Sequence, residues 1–179
     1  TYKNVKFPTR GASNSVFDFY LDPQTNTFAQ WSKSKQFYTI DFDSKTMNMS
    51  QTTVPTAESC SVSYWMDALV RTRRPVMLAG SAGTGKTQQV LGLLKQADPA
   101  EQAFTVINFN FYTTSAVLQN TMRLPLEKKT GTNFGPPGNT RLVYFVDDLN
   151  LPEVDKYMTQ SAIALLRQHM EYNHMYDIA

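Results

Sequence analysis

The sequence predicts an α/β fold built on a parallel sheet. Three observations carry this. Short apolar strands, Val76–Ala79, Phe104–Phe109 and Leu142–Val146, alternate with helical patterns from residue 53 onward. A glycine-rich turn separates the first of these strands from a helix, and the last strand ends in two adjacent acids, Asp147 and Asp148. Alternating strands and helices imply right-handed crossovers between parallel neighbours.

The elements follow in order. Residues 1–52 read as a β-rich lead-in. Val16–Leu21 is aromatic and breaks at Asp22-Pro23, and Gln36–Phe42 alternates, with Tyr38, Ile40 and Phe42 on one face. A polar stretch, 26–35, lies between them with Trp31 embedded, and a small packed sheet accounts for these aromatics. Ser59–Arg71 places Val62, Trp65, Met66 and Leu69 at helical spacing, and Pro75 ends it. After the glycine turn a helix covers about Gln88–Gln96. Thr113–Leu124 reads as a helix capped by Thr113 or Thr114 and interrupted by Pro125. Lys128–Thr140, with three glycines and two prolines, is a turn-rich excursion. Pro152 breaks the chain, and Thr159–Tyr172 is an amphipathic helix.

Gly80-Ser81-Ala82-Gly83-Thr84-Gly85-Lys86-Thr87 fits the phosphate-loop pattern G-x-x-x-x-G-K-[ST], with a strand before it and a helix after it. Glycines let backbone N–H groups curl around a phosphate, and the helix N-terminus faces the same anion. Lys86 is placed to reach the β- and γ-phosphates, and the Thr87 hydroxyl to bind Mg²⁺. Gln88, the first residue past the motif, belongs to the same cofactor-binding set. The expected cofactors are ATP or ADP with Mg²⁺. The apolar strand ending in acids puts carboxylates at the sheet's carboxyl edge, where ligands sit. Asp147 is the expected Mg²⁺ acid, and Asp148 the base that orients the attacking water. Lys86, Asp147 and Asp148 are therefore the candidate catalytic residues.

Other chemistries find less. A net charge of +2 gives no argument for nucleic acid. No apolar run approaches a membrane span, and the N-terminal residues lack the apolar region of a signal peptide. One cysteine, Cys60, excludes an internal disulfide framework and fits a reducing compartment. His169 and His174 are five apart, off a common helix face, so they do not suggest a metal site. Length and composition alone predict one soluble intracellular domain.

Several segments together carry a family resemblance. Val54-Pro55-Thr56, the loop GSAGTGKT, Asn108-Phe109 with Tyr112–Ser115, Phe134–Pro137 and FVDDLNLPEVDKYMTQ followed by LLRQHMEY resemble the AAA+ ring of axonemal dynein heavy chains, most closely the third module. The likeness covers about residues 53–177, and KFPTRG with VFDFYLDP resembles the segment preceding that module. The resemblance implies a P-loop NTPase (AAA+) three-layer core over 53–179, stopping before the sensor-1 strand and the helical lid, behind the lead-in 1–52. It implies that Val54, Pro55 and Thr56 lie along the adenine, and that Leu149–Pro152 begins the insertion before sensor 1. A polar residue on the second core strand, Asn108 or Asn110, would touch the Mg²⁺ acid. An arginine finger would come from a neighbouring module, while Arg167 is either a neighbour contact or a solvated helix residue.

The partners implied are neighbouring AAA+ modules of the same heavy chain, with intermediate and light chains and microtubules reached through the whole complex. No nucleic acid or membrane partner is implied. The location implied is the cytoskeleton of a cilium or flagellum. In such rings the third module is regulatory, and Asp148 stands where AAA+ ATPases usually carry a glutamate. Its shorter side chain favours a module that binds nucleotide to regulate the ring and hydrolyses slowly. The alternatives are a hydrolysing engine and a non-motor AAA+ remodelling ATPase.

Overall fold

The computed structural model describes residues 8, 15–34, 37–43, 45 and 53–176. Gln36, most of the KFPTRG segment and the residues from Asp177 onward lie outside the described set. The chain divides into two compact units, Thr1–Leu93 and Leu94–Ala179.

In the first unit a 3-10 turn, Val16–Asp18, leads into a hairpin of β1 (Phe19–Asp22) and β2 (Thr27–Gln30). The strands pair antiparallel from Phe19 opposite Gln30 to Asp22 opposite Thr27. The Asp22 carboxylate fixes the turn by accepting from the Gln24 N–H at 2.9 Å and the Thr25 hydroxyl at 3.1 Å, while Asn26 adopts φ 52°. β2 lies in the polar stretch 26–35, for which the sequence predicts no strand. Trp31 follows on a second 3-10 turn, 2% exposed and stacked on Tyr20 at 4.6 Å. Tyr64 of α1 (Ala57–Arg71) closes on Trp31 at 5.3 Å, so the hairpin and the helix share an aromatic core.

α1 starts where Thr56 and Ser59 form a reciprocal capping box, at 3.1 and 2.8 Å. Its buried residues are Cys60 and Met66, whereas Trp65, expected on the inner face, is 57% exposed. Thr72 caps the far end, and its hydroxyl donates to the Ala68 and Leu69 carbonyls. α2 (Lys86–Gln96) follows the phosphate loop. Two expected strands are missing here. Residues 76–79 and 37–43 take no regular structure. A strand exists only through its ladder, and among the described residues no segment pairs with either.

The second unit carries the parallel pair that the sequence predicts. β3 (Gln102–Asn108) and β6 (Arg141–Asp147) run in register from Gln102 opposite Arg141 to Asn108 opposite Asp147. The crossover holds α3 (Ser115–Arg123), capped by Thr114, and then a hairpin of β4 (Glu127–Thr130) and β5 (Asn133–Gly135). That hairpin replaces the expected irregular excursion, and Arg123 sits over the Phe134 ring at 5.3 Å. α4 (Ser161–Tyr172) ends at Asn173 in the left-handed region. Ile107, Phe109, Leu118, Met122, Ala162 and Leu165 form the core against which Tyr144, Val146 and Leu149 pack. The Tyr144 hydroxyl donates to the Met122 carbonyl at 2.6 Å, and burial pushes its pKa up to about 12. No described helix is long and apolar enough to cross a membrane.

Candidate phosphate and acid sites

The phosphate loop is shaped by two glycines and one lysine. Gly83 and Gly85 adopt φ 76° and 80°, in the left-handed region that a Cβ disfavours. No heavy atom would lie within 4 Å of an added Cβ at either, so conformation rather than space requires glycine there. Lys86 opens α2 and folds back over the loop. Its ammonium donates to the Gly80 carbonyl at 2.9 Å, the Ser81 carbonyl at 2.6 Å and Thr84 Oγ1 at 3.2 Å. Those three bonds use its donor capacity. Thr84 Oγ1 in turn donates to the Ser81 carbonyl at 3.0 Å.

The first bond of α2 returning to the loop is Gln89 N–H to Gly85 C=O at 3.0 Å. The amides of the helix's first turn before it have no carbonyl in the helix to bond, which is how a helix start presents N–H groups to an anion. Gly80–Gly85 and Gln88 are exposed, while Lys86 and Thr87 are half-buried. The loop therefore offers backbone donors, the Lys86 cation and the hydroxyls of Ser81, Thr84 and Thr87. Of the residues expected along the adenine, Val54 is 68% exposed and Pro55 half-buried. The Thr56 hydroxyl is committed to the Ser59 N–H as the cap of α1.

The acids stand in the second unit, at the carboxyl end of β6. Asp147 is half-buried, and Asp148 is exposed. Asp148 takes φ 54°, and its N–H donates to Asp147 Oδ1 at 3.0 Å. The turn continues with the Leu151 N–H on the Asp148 carbonyl at 3.0 Å. Aspartate tolerates the left-handed region better than longer side chains do, because its short carboxylate bonds locally. That gives a conformational reason for an aspartate at position 148.

Register distinguishes the two asparagines. Asn108 faces Asp147 across the ladder, whereas Asn110 is consumed in the turn before α3. Its Oδ1 accepts from the Tyr112 N–H at 2.9 Å, and its N–H donates to Thr113 Oγ1 at 2.9 Å. Strand pairing carried that signal, and the sequence alone left both open.

The segment after the acids is tied down. Pro152 is buried, and Gln160 donates to its carbonyl at 2.6 Å. Asp155 accepts from the Thr159 hydroxyl, the Thr159 N–H and the Tyr157 N–H, and these bonds hold its carboxyl below the usual range. Arg167 pairs with Glu171 at 3.0 Å. Cys60 is buried, which pushes its thiol up.

The Thr87 hydroxyl in the first unit and the Asp147 carboxylate in the second are each hard oxygen donors of the kind that suits Mg²⁺. Among the described residues no three His, Cys, Asp or Glu side chains gather as a metal cage. Mg²⁺ commonly takes one or two protein ligands and completes its shell with phosphates and water, so either donor fits it.

The chain's residues 41–179 match a family model described as the P-loop containing dynein motor region. Relatives resemble nearly all of it. It is 46% identical over 176 residues to dynein axonemal heavy chain 9 of Homo sapiens, covering 98% of this chain and 4% of that protein. It is 44% identical over 179 residues to the ciliary dynein beta chain of Heliocidaris crassispina, covering 99% and 4%. It is 41% identical over 180 residues to the flagellar outer arm dynein alpha chain of Chlamydomonas reinhardtii, covering 100% and 4%. The chain thus spans about 4% of the length of these relatives.

Proposed function

This chain belongs to the P-loop dynein motor region family, and from that membership and its phosphate loop we propose that it binds Mg-ATP or Mg-ADP to regulate an axonemal dynein ring, hydrolysing slowly. The observation that carries the reading is the loop itself, with Gly83 and Gly85 left-handed and Lys86 lying over it. Gly80, Ser81, Ala82, Gly83, Thr84, Gly85, Lys86, Thr87 and Gln88 form the phosphate-binding set. On nucleotide binding the Lys86 ammonium exchanges loop carbonyls for β- and γ-phosphate oxygens, a charge-assisted bond stronger than the neutral ones it leaves. From the motif and the family membership, Thr87 and Asp147 are the residues that would hold Mg²⁺, which would neutralise phosphate charge. In a hydrolysing module Asp148 would orient the attacking water, and Asn108, opposite Asp147 in the ladder, would contact Asp147 and govern its availability.

Asp148 favours slow turnover, because its side chain is one methylene shorter than a glutamate's and reaches less far toward an in-line water. A hydrolysing engine is the second reading, favoured by the intact pair of acids on β6. Family membership sets aside the non-motor remodelling ATPase. By the same reading, 1–52 is a lead-in and 53–179 part of a AAA+ large subdomain. Its neighbours are other AAA+ modules of one heavy chain. Microtubules and intermediate and light chains are engaged through the whole complex, in a cilium or flagellum. Nucleotide then acts through different affinities for two ring states.

The test is single-turnover hydrolysis by the heavy chain. Lys86→Ala should weaken nucleotide occupancy at this module by about 10–100-fold, from the loss of a charged hydrogen-bond donor. Asp148→Asn and Asp148→Glu should leave turnover here unchanged if the module is a sensor. A fall with Asn alone identifies an engine.

A further inference from the structure

We propose that Gln89 is a positioning residue that couples the phosphate loop to the lead-in hairpin, by tying the first turn of α2 to the first turn of α1. The proposal rests on the nucleotide-binding reading above and gives occupancy of the loop a route to residues 19–31. Gln89 is bonded in two directions. Its N–H donates to the Gly85 carbonyl at 3.0 Å, at the end of the loop. Its side-chain Nε2 donates to the Ser59 carbonyl at 2.7 Å, 30 positions earlier in the chain. A carbonyl only accepts, so the amide presents its nitrogen there.

Backbone fixes both ends of that bond. Gln89 is held by its own amide on Gly85, and Ser59 by the capping box of α1. The Ser59 hydroxyl accepts from the Thr56 N–H at 2.8 Å and donates to the Thr56 carbonyl at 3.0 Å. Both residues are half-buried, so water competes less for this bond than for one on an open surface. A carbonyl has two lone pairs, so Ser59 holds Gln89 without leaving its helix. The first-turn amides of α2 face the phosphate site. A shift of that turn toward a bound phosphate therefore pulls on the first turn of α1.

The lead-in is packed against α1, so the pull does not stop there. Cys60, next to Ser59, is buried, and the buried Ser34 borders its thiol from the end of the second 3-10 turn. Tyr64, further along α1, lies 5.3 Å from the Trp31 ring and 6.1 Å from the Tyr20 ring. Tyr20 belongs to β1, and Trp31 directly follows β2. Close-packed interiors pass displacement on rather than absorb it. The contacts thus run unbroken from Gly85 through Gln89, Ser59 and Tyr64 to Trp31, all within the first unit. Gln89 is the one link in this run made by a single side-chain hydrogen bond, so removing its donor cuts the route without touching the loop or the aromatic core.

Hydrogen exchange on the intact heavy chain, read peptide by peptide, tests this. An acyl-phosphate derivative of ATP that acylates Lys86 reports occupancy of the loop through competition by Mg-ATP. The expected result is protection of the α2 start by Mg-ATP together with a change in exchange across residues 19–31. Loss of that change in Lys86→Ala assigns it to this module. Gln89→Leu keeps the bulk and removes the donor, so it should abolish the response of 19–31 while Mg-ATP still protects the α2 start. Gln89→Lys returns a donor of similar reach and should restore the response. Coupling between sites is reciprocal. Tyr20→Leu, which loosens the aromatic core, should therefore shift Mg-ATP competition at Lys86 by about 2–10-fold, the scale of one hydrogen bond, and the shift should vanish in a Gln89→Leu background. A response of 19–31 that survives Gln89→Leu, one that Gln89→Lys does not restore, or none in the wild type while Mg-ATP competes at Lys86, overturns the coupling and leaves the nucleotide reading intact. If Lys86 is not acylated and Mg-ATP does not protect the α2 start, the nucleotide reading fails and the coupling fails with it.

Discussion

The two units hold their candidate site residues in opposite ways. The phosphate loop is held locally. Its shape comes from two left-handed glycines and from bonds that Lys86 makes to residues five and six positions earlier. The stretch before it, 76–79, joins no described ladder, and Met77 is 74% exposed. The acids at 147 and 148 are held from a distance. Asp147 ends a strand paired over seven positions with β3, above a core drawn from β3, α3 and α4. A site built from local backbone is written in adjacent letters. A site built on register is written in residues scattered along the chain.

Core truncation should separate the two most strongly. Leu118 is fully buried in the cluster under β3 and β6. Leu118→Ala should cost about 2–5 kcal/mol, as for other buried leucines. Hydrogen exchange should then show lost protection along β3 and β6, with protection of α1 retained. Equal loss in both units would mean that they unfold as one, and that the contrast drawn here is false.

Backbone substitutions should hit the other unit. Gly83→Ala or Gly85→Ala forces an L-residue to φ 76° or 80°, at about 1–2 kcal/mol each. Because no neighbour crowds either position, the loss should appear as weaker nucleotide competition rather than as global unfolding. The corresponding change on the acid side is Asp148→Glu at φ 54°. Asp148→Asn should be tolerated there and Asp148→Glu should lower thermal stability, which a pair of melting curves would check. A glutamate variant as stable as the wild type would remove the conformational reason for aspartate.

These contrasts also explain what the sequence made legible. The phosphate loop, α1, α3 and β6 follow from spacing, as does a threonine cap at 113 or 114 that the structure gives to Thr114, because each is decided within a turn or two of chain. The β4–β5 hairpin was hidden because Glu-Lys-Lys-Thr has no apolar alternation and is exposed throughout. Val76–Ala79 reads as a buried strand but has no described partner, and a partner cannot be read from four letters. Residues 37–42 show the alternation of a strand, yet their rings line a cleft instead of a sheet face. Pairing across the sheet, invisible in sequence, puts Asn108 and not Asn110 opposite Asp147.

A smaller effect separates the units by pH. Burial lowers the His169 pKa from 6.5, and among the described residues its Nδ1 is buried without a partner. The unfolded chain therefore binds the proton more readily than the folded one between the lowered value and 6.5. The stability contributed by neutral His169 is full above that window and is lost as pH falls through it. Protection of α4 should weaken on acidification from pH 7 to 5, and His169→Gln should flatten that dependence. α1, which contains no histidine, should show no such histidine-linked loss.

The smallest expected effect concerns a residue with an inviting alternative role. Arg167 lies on α4 and binds Glu171 one turn on, at 3.0 Å, with 76% of its side chain exposed. An exposed pair at this spacing contributes about 0.3–0.5 kcal/mol and weakens with salt. Arg167→Ala should therefore shift melting of the second unit only slightly, and added salt should erase the difference. The Arg71–Asp67 pair on α1 has the same spacing at 2.8 Å and should respond alike, so it serves as the internal control. If Arg167→Ala instead slows nucleotide turnover in the intact ring while Arg71→Ala does not, Arg167 faces a neighbouring module, and its bond to Glu171 is the resting arrangement of a contact made between modules.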